Sequence, residues 1–203
     1  MRTVYNQKYQ NTRYFNYKHW MFAPYIRALV KRYNISSKSC ILDLGSGTGF
    51  FTRLFSEAGI NNVVGIDISD VGVRAARATS RNEIGFVVGD GVNKLPFKTE
   101  CFDLIFCRGF SSYNVEDFAT NSTLTKHLMN YLRTDGHFVF AYSSDGSGLP
   151  GRNHKRVGRK SNSTWINQSL SDVKQHFYSV ASVDILDLFF LTRLEMICLG
   201  QLV

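Results

Sequence analysis

Apolar and polar positions follow two alternating periods along this chain. From residue 40 onward, short apolar runs at 40–44, 63–69, 85–91, 102–110 and 137–142 read as strands buried on both faces. Between them, apolar positions recur at helical spacing. Phe51, Leu54, Phe55 and Ala58 form one stripe, which Gly59 stops. Residues 71–81 form a second, with the good helix formers Ala75, Ala76 and Ala78, and with Arg74, Arg77 and Arg81 expected on a solvated face. Residues 120–132 form a third, expected to end at Asp135-Gly136 before the strand at 137. Strands alternating with helices predict an α/β doubly wound fold, a mostly parallel sheet covered on both faces. Upstream, 19–33 reads as an amphipathic helix, with Pro24 drawing its start toward Ala23. Residues 5–17 are rich in tyrosine and amide with little periodicity, an irregular arm or a frayed helix. Downstream, 169–178 reads as a helix, and 180–190 and 195–203 as two closing strands.

The chemistry concentrates where the first strand ends. Asp43 is followed by Gly45-Ser46-Gly47-Thr48-Gly49 and then a helix. Glycines let the backbone bend sharply and approach a ligand, and the amides at the helix start are free donors. The dinucleotide fingerprint requires a glycine where this chain has Phe50. Asp43 would also repel a phosphate. A carboxylate there suits a cationic ligand, such as an amino group beside a sulfonium.

Ile41-Leu42-Asp43-Leu44-Gly45-Ser46-Gly47-Thr48-Gly49 resembles motif I of the class I S-adenosylmethionine (SAM)-dependent methyltransferases. The resemblance extends to about the end of the chain and implies a seven-stranded Rossmann-like sheet with a C-terminal antiparallel strand. It implies that Asp43 and the turn from Gly45 to Gly49, including Ser46 and Thr48, hold the methionine end of SAM. Asp67, at the end of the second apolar run and about 20 residues past the turn, would accept both ribose hydroxyls, with Ile68 beside it. Gly89-Asp90-Gly91 resembles motif III, so Asp90 would hold the adenine amine and Gly91 a ring nitrogen. The alternative for Asp90 is a turn built from Gly and Asp. Phe102-Asp103-Leu104-Ile105 resembles the family's fourth strand. Its exit, Cys107-Arg108-Gly109-Phe110, would place Cys107 by the cofactor and Arg108 by an anionic acceptor or in an ordinary ion pair. The Asn/Asp-Pro-Pro-aromatic motif of base N-methylation is absent there. The segment 1–35 is a helical arm or lid candidate over the SAM pocket, or a helix packed on the sheet edge.

Composition narrows the acceptor. The net charge of +8 favours anionic partners. Within 143–163, an expected substrate loop, Arg152, Lys155, Arg156, Arg159 and Lys160 place five cations in nine positions. Arg152, His154 and Tyr113 are candidate substrate contacts, and Tyr113, Asp145 and His154 the candidates for a base. His127 and His137 are expected to be structural. A small anionic or saccharide acceptor is the first expectation, RNA the second, and a non-catalytic SAM-binding subunit the third. The four cysteines form no CxxC pair, so no metal site is expected, and buried thiols in a reducing, cytoplasmic compartment fit. No apolar run is long enough to span a bilayer. At 203 residues, one domain over 1–203 is expected.

Overall fold

The computed structural model of the chain describes residues 1–11, 17–113, 122–144, 180–188 and 192–200. The elements are α1 (Arg2–Gln10), α2 (His19–Arg32), β1 (Cys40–Leu44), α3 (Phe50–Glu57), β2 (Asn62–Asp67), α4 (Asp70–Thr79), β3 (Gly85–Val88), β4 (Phe102–Arg108), a 3-10 turn (Ser111–Tyr113), α5 (Ser122–Met129), β5 (Leu132–Ser144), β6 (Val180–Leu188) and β7 (Thr192–Gly200). Among the described residues the strand order is β3-β2-β1-β4-β5-β7-β6. β1 to β5 pair parallel. The backbone of β7 runs antiparallel beside β5, and β6 antiparallel beside β7.

Strand alternation divides the core into two layers. Ile41, Leu104, Phe106 and Val139 face one way, packed with Phe22, Ile26 and Leu29 of α2 and Leu54 and Phe55 of α3. Leu42, Leu44, Ile105, Cys107 and Phe138 face the other way, with Leu128 and Met129 of α5. Chain order reverses between β1 and β4, so a crevice opens at their carboxyl ends. That crevice is where the glycine turn emerges.

The structure sharpens the sequence reading at four places. α2 starts at His19, as the reading of 19–33 has it, and Pro24 lies inside it without moving the start to Ala23. Proline removes one helical donor, and the carbonyl left over belongs to Trp20, an exposed residue. Of the two readings of 5–17, the helical one holds at its start, where α1 covers Arg2–Gln10. α5 ends at Met129 and β5 begins at Leu132, so Asp135-Gly136 lies inside the strand, at a register irregularity opposite Phe102 and Leu104. Arg77 is exposed, as expected of that face, and its guanidinium also donates to the Phe86 carbonyl at 2.6 Å, which ties α4 to β3. Arg74 pairs with Asp70 on the exposed face. The expected helix at 169–178 lies outside the described residues. Among the described residues, no helix is long and apolar enough to cross a membrane, and no cluster of metal-ligating side chains occurs.

Candidate functional site

The glycine turn is shaped by three left-handed residues, Gly45 (φ 76°), Gly47 (φ 54°) and Gly49 (φ 76°). The amides of Gly45 and Ser46 donate to the Ile66 carbonyl at 2.8 and 3.0 Å, which ties the turn to β2. Gly49 donates to Ser46 at 2.8 Å and opens α3. The Thr48 carbonyl accepts from Arg53 at 2.8 Å. The Ser46 hydroxyl is buried over Gly65 and has no hydrogen-bond partner in this structure.

Two acids flank the turn. Asp67 closes β2 and is only 6% exposed. It accepts the Gly47 amide and the Ser69 amide, each at 2.8 Å. A longer contact, 3.4 Å, comes from the Tyr9 hydroxyl. Burial pushes the Asp67 carboxyl up, while the two amides and Tyr9 pull it back down. Its neighbour Ser69 caps α4 by accepting the Gly72 amide at 3.0 Å.

Asp43 is on the α3 side of β1, since Ile41 packs on that side and Leu42 and Leu44 on the other. Its carboxylate is 2% exposed and receives the Thr52 hydroxyl at 2.6 Å. Burial raises its pKa from 3.8 to about 7, with the charge of Asp67 adding to the rise and the Thr52 bond opposing it. A cation set against Asp43 would draw off that proton. In the ligand-free protein, folded Asp43 keeps its proton where the unfolded chain has lost it, so stability falls as pH rises from about 4 to about 7. Asp43→Asn removes that dependence. The stability of the wild type relative to the variant is expected to drop between pH 5 and 8, by an amount on the order of a few kcal/mol. Paired urea denaturations across that range measure it, and a pH-independent difference would contradict the assignment.

The third acid is more exposed. Asp90 accepts the Val92 amide at 3.1 Å and the Asn93 side-chain amide at 2.9 Å, so it builds the turn leaving β3. These two bonds leave acceptor capacity on the carboxylate. Gly91 packs close to Leu44 and Phe110, and the Phe110 ring also covers Gly45. The Ile68 side chain is half-buried, and its carbonyl accepts from Arg2.

At the end of β4 the two neighbours part. The Cys107 thiol is buried in the apolar layer on the α5 side, and burial holds it protonated. Strand alternation puts it on the face of Ile105 and Leu42. Arg108 donates to the Tyr17 hydroxyl at 3.1 Å and lies 5.1 Å from the Tyr17 ring and 6.0 Å from that of Phe22. Tyr17 in turn packs against Phe50 and Phe51, so an aromatic wall backs the guanidinium. Tyr113 sits in the 3-10 turn that follows. Asp145, Arg152 and His154 lie outside the described residues. The His137 ring packs tilted against Tyr33, centroids 4.8 Å apart, at the opposite end of the sheet, and burial lowers its pKa. His127 packs edge-on against Tyr131.

Sequence reasoning missed Thr52, Tyr9 and Asn6. Thr52 was readable as the first polar residue on the inner face of α3, one turn past Gly49. Tyr9 and Asn6 had no such signal, because nothing in 5–17 fixed a helical face.

Residues 42–140 match the model of a family described as a methyltransferase domain. The chain is 32% identical over 120 residues to an uncharacterized methyltransferase of Schizosaccharomyces pombe, covering 58% of this chain and 45% of that protein. The chain thus spans about half the length of that curated relative. Among solved structures, it superposes with a TM-score of 0.65 and 20% identity on a complex between the Haloferax volcanii Trm112 methyltransferase activator and a methyltransferase, covering 90% of each chain. A second is geranyl diphosphate C-methyltransferase from Streptomyces coelicolor A3(2), in complex with Mg2+, geranyl diphosphate and S-adenosyl-L-homocysteine (SAH): TM-score 0.63, 12% identity, covering 91% of this chain and 82% of that one. At these identities the structures speak for the fold.

Proposed function

We propose that this chain, which carries a class I SAM-dependent methyltransferase domain, transfers a methyl group from SAM to a small anionic acceptor. The observation that carries the reading is the pair of buried acids, Asp43 and Asp67, on either side of the left-handed glycine turn. In this reading the cationic end of SAM would be set against Asp43 and the ribose hydroxyls of SAM against Asp67. In this reading Asp43 and the turn hold the methionine end, with Ser46 and Thr48 in its backbone. Asp67 takes the ribose, and Ile68, Asp90 and Gly91 take the adenine.

When bound, SAM supplies an activated sulfonium methyl. The chain's part is to hold the acceptor in line and keep water out, which in favourable systems lowers a barrier by roughly 7–11 kcal/mol. Arg108, backed by Tyr17 and Phe22, supports an anionic acceptor at the end of β4. The diphosphate acceptor of the Streptomyces relative is of that chemistry. Tyr113, Asp145 and His154 are the candidates to receive a proton where the acceptor must lose one.

Arg108→Ala is expected to raise KM for an anionic acceptor about 10-fold or more, the value of a charge-assisted hydrogen bond, with SAM affinity unchanged. Steady-state assays with phosphorylated and neutral acceptors measure it, and an unchanged KM for every acceptor would remove Arg108 from the site. The net charge of +8 and the five cations of 152–160 favour a second reading, RNA. In that case log affinity for a single strand falls linearly with log salt, by about 0.7 per neutralised phosphate. A salt-independent KM for a small acceptor excludes it.

A further inference from the structure

Helix α1 lies across the candidate site and reads four consecutive residues of it. Arg2 Nε donates to the Ile68 carbonyl at 3.1 Å. Asn6 donates through Nδ2 to Asp70 at 2.8 Å and accepts the Ser69 hydroxyl at 2.6 Å. Tyr9 reaches Asp67 at 3.4 Å. Positions 2, 6 and 9 share one helix face, so a single face carries every one of these contacts. No residue of α1 is buried by the usual measure of a core residue. A nine-residue helix is marginal alone, so these polar contacts and the packing of the Tyr9 ring hold it.

The Tyr9 ring goes deepest. It lies over the glycine turn so closely that a Cβ on Gly47 would come 2.5 Å from its hydroxyl, and one on Gly72 3.1 Å from the ring. Its hydroxyl shares Asp67 Oδ2 with the Gly47 amide. Burial, then the charge of Asp67, pushes the phenol well above its ordinary range, so Tyr9 remains an O–H donor.

We propose that α1 is an internal competitor for the cofactor: Tyr9 stands on the ribose acid where a ribose hydroxyl would bind, and α1 must leave for SAM to enter. The proposal rests on the SAM reading above. The exchange is chemically even. One hydroxyl donor on Asp67 replaces another, and the 3.4 Å contact of Tyr9 is longer than a ribose hydroxyl needs to be. The apparent affinity for SAM is then the intrinsic affinity reduced by the fraction of molecules with α1 displaced. Anything that loosens α1 strengthens cofactor binding.

The test is SAH titration of the full chain by calorimetry, for wild type, Tyr9→Ala, Asn6→Ala and Arg2→Ala. Arg2 contacts only the outer tether, so its variant loosens α1 while the ribose acid keeps Tyr9. Tyr9→Ala is expected to lower the Kd about 5- to 10-fold, and Asn6→Ala and Arg2→Ala about 2- to 3-fold, as the open fraction rises. Amide hydrogen exchange supplies the second readout: SAH should speed exchange across α1 in the wild type. Weaker SAH binding by Tyr9→Ala, or slower α1 exchange with SAH, would overturn the competitor and make α1 a lid that closes on the ligand. Equal affinities in all four proteins would overturn it too, leaving the SAM reading intact. No SAH binding by any of the four, each folded by thermal melt, would overturn the SAM reading and the competitor with it.

Discussion

Replacing Asp67 by alanine is expected to weaken SAH binding at least about 100-fold. Two ribose hydroxyls donating to one buried carboxylate are charge-assisted bonds, each worth about 1.5–3 kcal/mol, and together about 3 kcal/mol or more. The site around them is already built. The Gly47 and Ser69 amides fix the carboxylate in place and keep it from turning away. Those amides also show why the substitution reaches further than the ribose. Without the carboxylate, the buried Gly47 N–H loses its partner, and the glycine turn loosens where the methionine end would lie. Asp67→Asn separates the effects. It keeps an acceptor, so it should preserve the turn and recover part of the affinity. Calorimetry on both variants measures this, and an alanine variant within 3-fold of wild type, as a ratio of Kd values, would remove Asp67 from the site.

The largest expected effect on stability comes from Gly49→Ala. Gly49 is the N-cap of α3, at φ 76° and ψ 20°. An alanine there costs about 1–2 kcal/mol from left-handed backbone strain alone. The new methyl would also lie 2.7 Å from Cε1 and Cζ of Phe86 and 3.0 Å from Ala76 Cβ. Phe86 and Ala76 are themselves buried, with Val73, in the small layer between α4 and β3. Neither can retreat without moving an element. Overpacking of this kind adds about 1–3 kcal/mol. The sum, about 2–5 kcal/mol, corresponds to a fall in Tm of roughly 4–20 °C for a chain of this size. Thermal unfolding by circular dichroism checks it. A variant within about 0.5 kcal/mol of wild type would mean that the turn does not need the left-handed conformation seen at Gly49.

Parallel strands made the centre of this fold legible. β1 and β2 are buried on both faces, so they appear as unbroken apolar runs, and a lone acid at the end of such a run stands out. Asp43 and Asp67 were found that way, with the glycines between them. Where neighbouring elements are both apolar, the signal fails. Leu128, Met129, Tyr131 and Leu132 continue a helical stripe in sequence, yet the chain turns at Asn130. The backbone of Asn130 and Tyr131 accepts from Glu100, Cys101 and Phe102, and that pairing with the start of β4 overrides the local pattern. Helix α1 shows the opposite failure. It has no apolar stripe to read, because polar bonds to the start of α4 hold it. The burial of Cys107 was legible. Alternation from Leu42 and Ile105 already puts it on the buried face.

The central claim is that the buried acids and the glycine turn form a SAM site. Its most direct test is calorimetric titration of SAM into the wild-type chain. The account predicts one-to-one binding with a Kd in the micromolar range, about −8 kcal/mol. A folded protein that gives no binding heat with SAM, and none with SAH, would contradict it.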